Sequence, residues 1–93
     1  MFEWDEAKSR RNLEERGFDF EFAARIFTGD LLEYEDRRRN YSERRIVNVG
    51  EIDSEIFVVV HTQRGANRRI ISARQANRRE RDAYRKAFGQ RNS

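Results

Sequence analysis

The side chains best suited to chemistry crowd into one stretch, EIFVVVHTQRGANRRIISAR, residues 55–74. His61 is the only imidazole in the chain. Close behind it come Arg64, Arg68, Arg69, Ser72 and Arg74, and then Arg78, Arg79 and Tyr84. Glu43 and Arg44 open an earlier apolar segment, ERRIVNVG. Arginine presents a planar fork that fits phosphate oxygens, and imidazole, carboxylate and phenol groups move protons. Together these are the groups that an RNA phosphodiester needs if its own 2′-hydroxyl is to attack the adjacent phosphorus. That reaction takes a base at the 2′-oxygen, cations on the phosphate oxygens and an acid at the leaving 5′-oxygen. It asks for no metal. Each residue also has a plainer reading. His61 could be a half-buried histidine satisfied by a neighbour, Tyr84 a core residue, and Glu43 with Arg44 an ion-paired surface.

Charge separates along the chain. Residues 1–63 hold 15 acidic and 10 basic side chains, whereas residues 64–93 hold 10 basic and 2 acidic. Of the 20 cations only Lys8 and Lys86 are lysines. An arginine-dominated basic half favours a nucleic-acid partner, and an acidic protein partner fits the same surface. The chain has no cysteine and one histidine, so disulfides, cysteine zinc sites and an all-histidine metal site within one chain are excluded. No cofactor is expected. No apolar run approaches the roughly 18 residues a bilayer span needs, and no signal peptide pattern opens the chain. The expectation is a single domain over residues 1–93, cytoplasmic and away from membranes.

The elements that must position these groups follow from local pattern. Met1–Trp4 suits an edge strand or a packed N-terminal segment. Asp5 caps a helix from Glu6 to about Arg16, and Gly17 ends it. Asp19 caps a second helix whose Phe22, Ala23, Ile26 and Phe27 form an apolar stripe. Four strands follow, at Leu31–Glu35, Glu43–Gly50, Ile56–Thr62 and Arg69–Arg74, with the turns between them short enough for an antiparallel meander. His61 shares a strand face with Phe57 and Val59, and Ser72 and Arg74 share one with Ile70. Gln75–Phe88 reads as a last helix, and Gly89–Ser93 is expected to fray. The fold class is α+β: two N-terminal helices, a four-stranded antiparallel sheet with helices on one face, and a C-terminal helix.

Three motifs carry a resemblance to a known family. They are F-x-W-D-x-x-K through Trp4, Asp5 and Lys8, the T-x-R turn at Thr62 and Arg64, and R-I-I-S-A-R followed by Glu80, Arg81 and Tyr84. The chain resembles the BrnT toxins of type II toxin–antitoxin systems over residues 2 to about 85. That resemblance implies a RelE-like fold, an endoribonuclease that arrests growth, and neutralisation by a BrnA-like antitoxin in a hetero-oligomer. Operator DNA would be reached only through that antitoxin. His61 stands where many relatives carry tyrosine. Taken with the chemistry above, the expected catalytic set is Glu43 or His61 as base, Arg64 and Arg74 on the phosphate, and Tyr84 assisting. Arg44, Arg68, Arg69, Arg78 and Arg79 would extend the RNA contacts. The rival expectation is a non-catalytic nucleic-acid-binding or co-repressor module, which would bind without turnover.

Overall fold

The structure is a computed structural model and describes residues 1–89. In chain order it contains β1 (Phe2–Trp4), α1 (Glu6–Arg16), α2 (Phe20–Ala23), a 3-10 segment (Ala24–Thr28), β2 (Leu32–Glu35), β3 (Ile46–Ile52), β4 (Glu55–Arg64), β5 (Asn67–Gln75) and α3 (Arg78–Phe88). The class is α+β, as expected. The sheet, however, has five strands in the order β1-β5-β4-β3-β2 and is mixed, because β1 pairs parallel to β5. The edge strand that Met1–Trp4 suits is β1, beside β5, whereas the four-stranded antiparallel count did not include it. Three residues carry no periodic signal, and their partner lies more than sixty positions away.

Local chemistry sets the element ends. Asp5 accepts hydrogen bonds from the Ala7 and Lys8 amides, and Gly17 closes α1 at φ 89°. Asp19 accepts from the Phe22 amide, but regular helix stops at Ala23 and the chain tightens into the 3-10 segment. The long second helix expected from the Phe stripe is therefore a short one continued by a tighter turn. Asp53 and Ser54 both take positive φ, 50° and 73°. This is the backbone of a two-residue primed hairpin turn, so β3 and β4 run further toward each other than the sequence pattern showed. A capping box, in which the Asn77 and Glu80 side chains bond each other's backbone amides, starts α3 after residue 75, where the sequence placed its beginning. The expected fraying of Gly89–Ser93 falls, beyond Gly89, outside the described residues.

Helices cover both faces of the sheet, not one. Ile56, Phe57, Val58 and Val59 of β4 are all buried, the mark of a strand enclosed from two sides. On one face Phe57, Val59, Ile70 and Ala73 pack against Phe18, Phe20, Ala23 and Ile26. On the other, Val47, Val49, Ile56 and Val58 pack against Ala76 and Tyr84. A register shift in β5 decides which groups face which layer. His61 pairs with Ile70 and Val60 with Ser72, leaving Ile71 as the extra residue of a bulge. Ile70 and Ala73, three apart, thus share a core, while Ser72 and Arg74 turn to the opposite face. The expectation that Ser72 and Arg74 face with Ile70 is corrected by this one residue.

Candidate active site

Tyr84 anchors α3 over one end of its sheet face, which leaves the other end open. The result is a cleft of about 650 Å³ between the loop after β2 and the start of α3. Val47, Val58 and Val60 form its floor; Tyr34, Asp36 and Arg38 stand on one wall; Ser72, Arg74, Arg79 and Glu80 stand on the other.

Both walls are built around bidentate arginine–carboxylate pairs. The Arg74 guanidinium donates to both Glu80 oxygens at 2.8 and 2.7 Å. Glu80 also accepts the Asn77 amide at 2.8 Å, so the helix start fixes the carboxylate and the carboxylate fixes the arginine. The pair holds the Arg74 proton more tightly than usual and keeps Glu80 below the ordinary carboxylate range. Across the cleft Arg38 donates to Asp36 through Nε at 2.9 Å and Nη2 at 2.8 Å. The Tyr41 hydroxyl adds a third side-chain donor to Asp36 at 3.2 Å. These bonds, the Arg38 fork foremost, hold Asp36 far below the ordinary carboxylate range. Arg45 stacks on the Tyr41 ring at 4.1 Å, and the Asp36 amide donates to the Arg45 carbonyl, which closes the base of the loop. Arg79 has no hydrogen-bond or ion-pair partner among the described residues. The capping box occupies the Asn77 and Glu80 amides at the start of α3, and the arginine side chains supply the charged donors an anion here would meet.

The fold divides the residues that the sequence suggested. Arg74 and Arg79 enter the cleft together with Ser72. Arg44 lies just beyond it, 3.4 Å from the cleft residue Glu35, and its carbonyl accepts the Thr62 hydroxyl. Glu43 and Arg64 face each other at 3.7 Å. Arg69 is tied to Glu3 of β1 at 3.1 Å, and Arg78 lies on the exposed side of α3, 3.9 Å from Asp82. His61, Arg68 and Tyr84 are not brought to this cleft. Tyr84 is 2% exposed and donates its hydroxyl to the Asp30 carbonyl at 2.9 Å. His61 does share a face with Phe57 and Val59, but that face lies under the 3-10 segment, where Phe27 meets the imidazole edge-on at 5.7 Å. Arg68 stacks on the same Phe27 ring.

A chain of polar groups satisfies the buried imidazole. His61 Nδ1 lies 2.6 Å from Asn48 Oδ1, and the Asn48 amide nitrogen donates to Glu33 at 2.5 Å. Nδ1 therefore carries the proton of the neutral ring. Burial lowers the His61 pKa and the Arg68 charge adds to this, with Glu33 opposing. A folded-state value below the unfolded one gives stability that is complete above about pH 6.5 and is lost as pH falls below it. The thermal midpoint should decline between pH 7 and 5, and less so in His61→Gln, which can still donate to Asn48. Equal declines in both proteins would assign the effect to other groups. The Glu3, Asp36 and Glu80 carboxylates, all lowered, add their own loss only as pH falls through about 4.

Tyr34, Glu35, Asp36, Arg38 and Glu80 were not expected as site residues. The first four lie in a strand end and a charged loop whose position over the sheet is not a local property. Glu80 did leave a signal, since Asn77-x-x-Glu80 is a capping-box spacing.

Residues 4–80 match the family model of BrnT, the ribonuclease toxin of type II toxin–antitoxin systems. The chain belongs to the BrnT family. No curated protein matches it. The matched span runs from Trp4 to Glu80 and so includes every residue lining the cleft. BrnT membership makes RNA the implied target and an antitoxin the implied partner. No helix among the described residues is long and apolar enough to cross a membrane.

Proposed function

We propose that this BrnT-family chain cleaves RNA in the cleft between Tyr34 and Arg74, by attack of the 2′-hydroxyl and without a metal. One observation carries the reading: Arg74, Arg79 and Arg38 converge on an open cleft with carboxylates among them. Arg74 is held ready by Glu80, and Arg79 is free to close on a phosphate. Together they would neutralise the charge that grows on the non-bridging oxygens as the 2′-oxygen bonds to phosphorus. Glu35 is the proposed base. Its Oε1 faces Arg37 and Arg44, while Oε2 has no partner among the described residues. It takes the place expected for Glu43 or His61. The bond from phosphorus to the 5′-oxygen then breaks, and that oxygen takes a proton from water in the open cleft. The products are a 2′,3′-cyclic phosphate and a 5′-hydroxyl. Purified protein incubated with RNA in EDTA should give those ends. RNA that survives prolonged incubation, with and without ribosomes, rejects the reading.

The same cleft is the proposed target of the antitoxin. Arg37 and Arg38 have side chains 82% and 80% exposed, so a BrnA-like partner with acidic residues would find complementary charge there. We place the chain in the cytoplasm, in a hetero-oligomer with that antitoxin, which alone would contact operator DNA. Antitoxin and RNA should then compete for binding; simultaneous binding of both would exclude occlusion.

A further inference from the structure

We infer that Tyr34 is a stacking platform for one unpaired base beside the phosphate held by Arg74 and Arg79, which makes single-stranded RNA the substrate. The inference rests on the cleft being the RNA site.

Four large apolar side chains are exposed among the described residues: Met1, Leu13, Tyr34 and Phe88. Only Tyr34 lines this cleft. It is 52% exposed, and its hydroxyl has no hydrogen-bond partner among the described residues. β2 is an edge strand, and the position paired with Tyr34 is Val47 on the cleft floor. A ring in this place adds little to folding. It lines the same cleft as Arg74.

The floor points to the same ligand. Val60, only partly buried, gives the floor apolar surface that a phosphate cannot use and the flat face of a base can, over the buried Val47 and Val58. A phosphate fork, an aromatic wall and an apolar floor within one cleft match a nucleotide whose base has left the stack. In a duplex the bases remain stacked and paired, and the A-form major groove is too narrow for side chains to reach them. Glu35 lines the same cleft as Tyr34, so stacking would also bring the ribose on the 5′ side of the phosphate toward it.

The test compares Tyr34→Ala with Tyr34→Phe. Binding is read by fluorescence anisotropy with a labelled single-stranded 2′-O-methyl RNA, which has no 2′-hydroxyl to attack, and with its blunt duplex. Cleavage is read with the matching unmodified strand. Wild-type protein should bind and cut the single strand in preference to the duplex. Tyr34→Ala should weaken single-strand binding and raise KM about 5- to 150-fold, the range expected for one lost stacked base. Tyr34→Phe should restore most of that loss. A phenylalanine variant as impaired as alanine would make the hydroxyl the working group and overturn the inference. So would unchanged binding by Tyr34→Ala, or a duplex cut as fast as the single strand. If Arg74→Ala loses cleavage while Tyr34→Ala does not, the proposed function stands and the stacking role falls. Wild-type protein that binds no RNA rejects both.

Discussion

Replacing Arg74 by alanine should slow RNA cleavage by about 10²- to 10³-fold, the usual cost of removing one donor that stabilises transition-state charge. Arg74, like Arg38, is already oriented by the fold, because Glu80 engages both of its terminal nitrogens and is itself fixed by the Asn77 amide. Its position is set before RNA arrives, which is what electrostatic preorganisation requires. Arg74→Lys should recover only part of the rate, since a point charge cannot reproduce the fork. The cost in stability should be small by comparison, about 1 kcal/mol. The Arg74 side chain is 42% exposed, and Glu80 keeps its bond to the Asn77 amide after the change. Single-turnover rates and circular dichroism melts on the same preparations separate the two effects. A rate within severalfold of wild type, with the fold intact, would move the scissile phosphate away from Arg74.

The largest effect on folding is expected at Gly50, in the middle of β3. A Cβ there would lie 2.7 Å from the Ile26 Cβ, 3.0 Å from the Leu31 Cδ2 and 3.3 Å from the Ile26 carbonyl oxygen. Leucine can swing its terminal methyl aside, but the Ile26 Cβ is bound to the backbone of the 3-10 segment. That segment must move off the sheet, and Ile26 is fully buried in the core it closes. Gly50→Ala should therefore cost about 1–3 kcal/mol. For a chain of this size that is a fall in the thermal midpoint of roughly 4–24 °C. An unchanged midpoint would show that the 3-10 segment yields freely. The cleft lies on the opposite face, so at a temperature where the variant is folded its cleavage rate should follow the wild type.

Elements fixed by neighbouring residues were legible in the sequence. Asp5 and Gly17 bracket α1 through caps that depend on a few adjacent amides. The apolar run in β4 could only be buried. Its continuity is also the mark of a strand covered on both faces, which the expectation of helices on one face does not meet. What escaped was non-local. Three residues of β1 complete the sheet by pairing in parallel with a strand at the far end of the chain. One bulged residue, Ile71, decides that Ser72 and Arg74 look into a cleft and not into the helix-covered core. His61 was assigned to the right strand face, but the sequence did not show that Phe27 and Asn48 would enclose it. The site followed the same rule. Arg74 and Arg79 were visible as part of a basic stretch, whereas Tyr34, Asp36 and Arg38 reach them only because β2 joins the sheet beside β3.

Hydrogen exchange of the protein with and without a single-stranded 2′-O-methyl RNA tests most directly whether the cleft is where RNA binds. The account predicts slower exchange over residues 34–38 and 72–80, the two walls of the cleft. Protection confined to Glu6–Arg16 or to the layer around Phe27 and His61, with residues 34–38 and 72–80 unchanged, would contradict it.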